Sequence, residues 1–315
     1  MQGASPGPIT ASTRYCAVYG HPIRHSASPA MQNAGIAALG LNWRYLAFDV
    51  RPEELRPAIE GARAMRFIGL NLTVPHKLLA CELVDELDES ARTWGAVNTI
   101  RFEARDDSGQ WRPLAEFEEL PETDRILARG FNTDADAIVR ALREDLGLDV
   151  RGRRVVLLGA GGAGRTAALR LAAEGVADLW LVNRTAAKAE ALAAEIRQRH
   201  PDTQVRLGYP GQGSVDLLLN ATSLGLRPDD PLPVDLNRFP LPSATAVYDM
   251  IYQPAETPLL AAAKAAGCRT ANGLGMLLYQ GVRALELWTG RPGPVETMRA
   301  ALEAHIYGQR PPASA

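Results

Sequence analysis

The chain lacks the features that would tie it to an oxidising compartment, a membrane or a charged polymer. Its three cysteines, Cys16, Cys81 and Cys268, are odd in number and far apart. That argues against a disulfide framework and against a CxxC metal site, and it fits a reducing cytoplasm. No metal is expected. The formal net charge is only −2, so no basic field draws the chain to nucleic acid or anionic lipid. Aromatic residues make up 6%, and the five tryptophans follow no spacing that would stack bases. No apolar run reaches the roughly 18 residues a membrane span requires. The opening MQGASPGPITASTR has no apolar core and does not read as a secretory signal. The expected partner is a small-molecule substrate, with no nucleic acid and no membrane. The oligomeric state stays open, a homodimer among the alternatives.

What is present is ordinary globular material: 315 residues, 46% hydrophobic and 22% charged, enough for two domains of about 150 residues each. In the first half, the runs YCAVYG, NWRYLAFDV and FIGLNLTV read as strands. They alternate with the helical MQNAGIAALG, EELRPAIEGARAM and KLLACELVDEL. This β-α-β-α-β order predicts a mostly parallel α/β sheet with helices on its faces. Residues 101–129 change character, being rich in acids, glycine and proline. They are expected to form a surface insertion, with a hairpin around Asp107-Ser108-Gly109. The second half repeats strand and helix from about residue 150 and predicts a doubly wound, Rossmann-type unit. The expected division is a discontinuous substrate domain, 1–134 with 274–315, and a dinucleotide-binding domain over 135–273, with a cleft between them.

The most specific local signal is Gly159-Ala160-Gly161-Gly162-Ala163-Gly164, a GxGxxG pattern after the apolar RVVLL and at the start of a helix. The first glycine of such a turn permits the tight bend. The second lets backbone approach a pyrophosphate, and the third allows helix and strand to pack closely. The helix N-terminus then offers free N–H groups to phosphate. At the end of the following strand, an acid would bind a ribose 2′-hydroxyl. Here stand Asn183, Arg184 and Thr185, with Lys188 one turn on. Arginine can grip a 2′-phosphate in a bidentate fork, and basic residues are poorly placed at a helix start unless an anion joins them. The expected cofactor is NADP.

Four polar clusters sit at strand ends or between elements: HSASP at 25–29, NLTVPHK at 71–77, GAVNT at 95–99 and GFNTD at 130–134. Ligands of open α/β sheets bind beyond the carboxyl ends of the strands. Hydroxyls, amides, one lysine and one aspartate suit a small polyhydroxylated acid. With GAGGAG, NRT, NATS, YDMIY and GLGMLLYQG in the second half, these motifs resemble the shikimate dehydrogenase family, in the family's order, over residues 20–290.

The resemblance implies NADP-dependent, reversible reduction of 3-dehydroshikimate to shikimate, in aromatic amino-acid biosynthesis. It implies that Ser26 and Ser28 hold the substrate carboxylate. Thr73, Asn98, Tyr252 and Gln280 match binders of the ring hydroxyls and carboxylate. Lys77 and Asp134 match the catalytic proton-transfer pair, and Thr222, Met250 and Gly273 match cofactor contacts. Taken alone, Lys77 would be a surface lysine at a helix start and Asp134 an N-cap. His25 is expected to stabilise its loop, and His76 has no assigned role. The stretch between GAVNT and GFNTD is longer than is usual in the family. Quinate/shikimate and aminoshikimate dehydrogenases share most of these motifs, although Asn183-Arg184-Thr185 speaks against the NAD-preferring quinate type. A non-catalytic NADP-binding regulatory module is the alternative from another class.

Overall fold

The computed structural model describes residues 8–119, 121–227 and 229–308. Among the described residues, those up to Thr133 together with those from Leu278 to Gly308 form one compact unit, and those from Asp134 to Leu277 form a second. The first unit opens with β1 (Arg14–Gly20), α1 (Ser28–Ala38), β2 (Trp43–Asp49), α2 (Leu55–Ala64) and β3 (Gly69–Leu72). It continues with α3 (His76–Leu79), β4 (Glu86–Leu87), α4 (Glu89–Trp94), β5 (Thr99–Arg105), β6 (Trp111–Pro113) and β7 (Ile126–Phe131). Helix α2 shows why such segments fold as they do: Leu55, Ile59 and Ala62 recur at helical spacing, and all three are buried.

The strands lie in the order β2-β1-β3-β5-β7-β4, with β6 on β5. β1 pairs in parallel with β2 and β3, as the alternation predicts, whereas β5 runs antiparallel to both β3 and β7. This reversal has a functional result. It brings the start of β5 to the same edge as the carboxyl ends of β3 and β7, with Asn71 opposite Thr99 and Thr99 opposite Phe131.

Two readings of the sequence are corrected. Residues 101–129 are not a surface excursion throughout. β5 and β7 are central strands, with Phe102, Glu103, Ala104 and Ala128 buried. The polar look of this segment comes from Glu103, which Arg101 Nε and Arg129 Nε hold at 2.8 and 3.1 Å. A buried carboxylate with two guanidinium partners is indistinguishable in sequence from a solvated one. Only the connection between β5 and β7 is peripheral; within it, Asp106 Oδ1 accepts from Ser108 N and Gln110 N, and Gly109 has φ +82°. Likewise, KLLACELVDEL is not one helix. α3 gives way to a 3-10 turn at Ala80–Glu82, and Glu86–Leu87 pair with β7. The Asp85 side chain accepts from Ala128 N at 2.6 Å and pulls the chain off its helical path to the sheet.

The second unit runs α5 (Asp134–Leu146), β8 (Arg154–Leu158), α6 (Gly162–Ala173), β9 (Asp178–Val182), α7 (Ala186–Arg199), β10 (Gln204–Leu207) and β11 (Val215–Asn220). β12 (Ala244–Asp249), α8 (Pro258–Ala265) and β13 (Arg269–Asn272) follow, and α9 (Leu274–Thr289) and α10 (Val295–Tyr307) close the chain. All six strands are parallel, in the order β10-β9-β8-β11-β12-β13. That is the dinucleotide-binding order, the first strand lying in the middle of the sheet. Because helices cover both faces, β8 and β11 read as continuous Val/Leu runs rather than alternating ones.

From Leu278, α9 packs in the first unit. Trp288 is fully buried, and its Nε1 donates to Ile100 O at 3.0 Å beside Gly69. A Cβ at Gly69 would fall 2.1 Å from Trp288 Nε1 and 2.5 Å from Ile100 O. Gly69→Ala is therefore expected to lower unfolding stability by about 1–3 kcal/mol through overpacking, read as an earlier urea midpoint with unchanged slope.

Candidate functional site

In the first unit, the residues nominated from sequence collect at one edge of the sheet. β1 ends at Gly20, and a Cβ there would stand 2.4 Å from Thr73 Cγ2. Only glycine lets the β1 exit and the Thr73 loop approach this closely. Thr73 N donates to Tyr19 O at 3.0 Å. Thr73, Lys77, Ser26 and Ser28 are all half-buried. Ser26 Oγ accepts from Ser28 N at 3.4 Å, at the first turn of α1, and His25 beside it is exposed. The Lys77 carbonyl accepts from Val97 N at 2.8 Å, which seats the α3 turn against the segment that leads through Asn98 into β5.

His76 anchors that turn from below. It is 0% exposed, and its Nε2 meets the Val50 carbonyl at 2.8 Å, while its Nδ1 is buried without a hydrogen-bond partner. A carbonyl can only accept, so Nε2 carries a proton, and the buried Nδ1, with no acceptor to take a second one, favours the neutral ring. Burial lowers its pKa from 6.5, with a smaller contribution of the same sign from His21, against the opposing Val50 bond. His21 Nδ1 lies 2.6 Å from Asp49 Oδ1. The sequence left His76 without a role, and the structure gives it one in tying the α3 turn to Val50.

Asn98 is 2% exposed and sits inside a buried polar chain. Tyr45 OH donates to Asn71 Oδ1 at 2.8 Å, and Asn71 Nδ2 donates to Asn98 O at 3.2 Å and to Thr99 Oγ1 at 3.0 Å. Thr99 Oγ1 and Thr133 N donate to Asn98 Oδ1 at 3.1 and 2.8 Å. Asn98 Nδ2 donates to Thr133 Oγ1 at 2.9 Å. Burial raises the Tyr45 phenol well above its ordinary pKa, Cys16 adding to that and Ser28 opposing it through a side-chain contact. Sequence reasoning missed Tyr45, Asn71, Thr99 and Thr133 as site residues. The signal was available: Asn71 interrupts the apolar strand GLNL, and a polar side chain buried in a strand must be paired.

Gln280 lies on the part of α9 that belongs to the first unit, next to Gly281, whose carbonyl accepts from Gln32 Nε2 at 2.9 Å. Asp134 and Tyr252 belong to the second unit, Asp134 at the first position of α5 and Tyr252 just beyond β12.

The glycine turn after β8 has the form that phosphate binding needs. Gly159 has φ +102°, and a Cβ at Gly164 would lie 2.1 Å from Gly159 O. Where Cβ atoms would stand at Gly161 and Gly162, no protein atom lies within 4 Å. Gly161 caps α6, and Gly162 and Ala163 are exposed in its first turn. Ala160 N donates to Asn183 Oδ1 at 3.0 Å, and Asn183 Nδ2 donates to Thr185 O at 2.8 Å. Asn183 thus joins the turn to the end of β9. Arg184, Thr185 and Lys188 are exposed at the start of α7, whose first turn holds no acidic residue and whose N-cap makes no side-chain bond. The residues present fit a dinucleotide with an extra phosphate.

The other nominated cofactor residues are braced by a second polar pillar. Asn220 Oδ1 accepts from Thr222 Oγ1 at 2.7 Å and from Thr222 N at 3.0 Å, and Asn220 Nδ2 donates to Asp249 Oδ1 at 2.9 Å. Thr257 Oγ1 and Ile251 N donate to Asp249 at 2.7 and 3.0 Å. Burial raises the Asp249 pKa, and these bonds oppose it. A Cβ at Gly273 would fall 2.0 Å from Met250 O, so the β13 exit crosses Met250 at a distance only glycine allows. Asn220, Asp249 and Thr257 were not singled out in the sequence.

The neutral, buried His76 gives stability that is complete above pH 6.5. Below that, the unfolded chain takes up a proton that the folded ring resists, and stability falls. His76→Gln is expected to flatten the dependence of urea stability on pH below about 6.5; an unchanged slope would remove this role.

Comparisons with known proteins agree with this geometry. Residues 18–100 match the shikimate dehydrogenase substrate binding domain, 141–207 match shikimate / quinate 5-dehydrogenase, and 273–303 match the shikimate 5'-dehydrogenase C-terminal domain. The shikimate dehydrogenase (NADP(+)) of Methanopyrus kandleri is 41% identical over 304 residues, covering 95% of this chain and 98% of the relative. That of Moorella thermoacetica is 44% identical over 303 residues, covering 93% and 94%. A crystal structure of a shikimate dehydrogenase in complex with NADP+ superposes with a TM-score of 0.80 at 37% identity, covering 95% of this chain and 99% of that one. With likeness of this extent running through both units, the chain belongs to the shikimate dehydrogenase family.

Proposed function

We propose that the protein catalyses the NADP-dependent, reversible reduction of 3-dehydroshikimate to shikimate, a step of aromatic amino-acid biosynthesis. The observation that carries this reading is the near-full-length likeness to NADP(+)-dependent shikimate dehydrogenases, in a chain that keeps Ser26, Ser28, Thr73, Lys77 and Asn98 at one sheet edge. Three free thiols suit a cytoplasmic setting, and among the described residues no helix is long and apolar enough to cross a membrane.

In the oxidative direction, the ring carbon loses a hydride and its hydroxyl loses a proton, leaving the ketone. NADP+, when bound, accepts the hydride. Ser26 and Ser28 hold the substrate carboxylate, and Thr73, Asn98, Tyr252 and Gln280 orient the ring. Lys77 takes the hydroxyl proton and returns it during reduction, with Asp134 as its carboxylate partner. An amine suits this because its neutral form can accept the hydroxyl proton and its ammonium form can donate to a developing alkoxide and give that proton back. Gly159, Ala160, Gly161, Gly162, Ala163 and Gly164 would hold the pyrophosphate, with Asn183 and Thr185 steadying that turn on the adenosine side. Arg184 and Lys188 would take the 2′-phosphate, and Thr222, Met250 and Gly273 would contact the nicotinamide side.

Two substitutions test the assignment. Arg184→Ala should weaken NADP+ by about ten- to a hundredfold, some 1.5–3 kcal/mol, and NAD+ much less. Equal loss for both cofactors would mean that Arg184 supports the fold. Lys77→Ala should lower kcat by about 10²–10⁴-fold with a modest change in KM. Lys77→Arg separates charge from proton transfer, because arginine keeps the charge but cannot release a proton near neutral pH. Near-normal turnover of Lys77→Ala would end the proposal.

A further inference from the structure

The proton directions in the buried chain around Asn98 are fixed by groups that cannot reverse. A backbone N–H only donates, so the Asn98 atom that Thr133 N meets at 2.8 Å is the side-chain oxygen. A backbone carbonyl only accepts, so the Asn71 atom facing Asn98 O at 3.2 Å is the nitrogen. Asn71 Nδ2 therefore also donates to Thr99 Oγ1 at 3.0 Å, and the Thr99 proton turns to Asn98 Oδ1 at 3.1 Å, nearer than the Thr133 hydroxyl at 3.4 Å. One Asn98 Nδ2 hydrogen is spent on Thr133 Oγ1 at 2.9 Å. The Asn98 oxygen thus holds the Thr133 N–H and the Thr99 hydroxyl, with the Thr133 hydroxyl a third donor at 3.3 Å, and a single amide hydrogen is left for a ligand.

We propose that Thr99 and Thr133 are positioning residues that clamp the Asn98 amide with its oxygen turned inward, so that Asn98 meets the substrate only as a hydrogen-bond donor. This rests on the function proposed above. It adds a rule of selection: the ring substituent at Asn98 must carry a lone pair, as a hydroxyl or ketone oxygen does and an ammonium does not. A flipped amide would set NH₂ against the Thr133 N–H, two donors face to face between buried residues. The threonines come from different strands, Thr99 opening β5 and Thr133 two residues beyond β7, so the clamp also holds those strand ends in register.

Valine matches threonine in shape and lacks the hydroxyl. Thr99→Val and Thr133→Val should each raise the shikimate KM about three- to tenfold, with the NADP+ KM unchanged. Thr99→Ser and Thr133→Ser should restore it. In a series of shikimate analogues, each lacking one ring hydroxyl, the valine penalty should vanish for one member and persist for the others. A KM unmoved in both valine variants, serine variants that behave like valine, or a penalty equal across the series would each overturn the clamp. A readout without turnover separates this from failure of the functional reading. In the ligand-free protein, one Asn98 side-chain amide hydrogen should show slow exchange by ¹⁵N NMR, and exchange should quicken in Thr133→Val. Fast exchange in the parent protein overturns the clamp whatever the protein turns over. Slow exchange in a protein that fails to oxidise shikimate leaves the clamp standing and removes the substrate.

Discussion

The contact between Thr133 N and the Asn98 side-chain oxygen, 2.8 Å long and buried, is the constraint on which the substrate-side architecture turns. It is possible only because β5 runs against its two neighbours. In an all-parallel sheet, the residue before a strand would lie at the far edge from the residues following the next. Reversing β5 sets Asn98, which precedes its strand, beside Thr73 and Thr133, which follow theirs. The cost of burying four amide and hydroxyl side chains is offset only if all of them find partners, and Tyr45, Asn71, Thr99 and Thr133 do so in one continuous chain.

The second unit obeys a different logic. Its parallel sheet puts every strand exit at one edge automatically, so polar residues there need bracing rather than gathering. Asn220 and Asp249 supply it by tying the exits of β11 and β12 to each other and to the start of α8 through Thr257. The carboxylate of Asp249 is 0% exposed, yet it keeps three donors. That is the condition under which a buried acid stabilises a loop instead of disrupting it.

Much of this was legible in the residues themselves. The glycine turn, its flanking strand and helix, and the polar clusters at strand ends carry local chemistry: a φ of +102° at Gly159 or an exposed cation at Arg184 needs no distant partner to be foreseen. What escaped were features created by pairing. Glu103 looked solvated because its arginine partners include one 26 residues away, on another strand. Residues 77–87 looked helical because their apolar spacing allows it, and bonds to a distant strand, from Ala128 to Asp85 and from Asp85 and Asp88 back to Ala128 and Gly130, pull them to the sheet. Asn71 and Thr99 looked like punctuation within motifs, because their value lies in facing each other across two strands.

The close approach of Gly164 to Gly159, where no Cβ could fit, has a consequence for the thermodynamics of association. The turn is wedged between strand and helix and tied off by Asn183, so its backbone has already lost its freedom during folding. A ligand arriving there meets N–H groups already aligned and forfeits little entropy in ordering them. Affinity for the diphosphate is therefore drawn from the folding free energy of the second unit, and anything that loosens the strand–helix contact weakens binding without touching a single ligating atom.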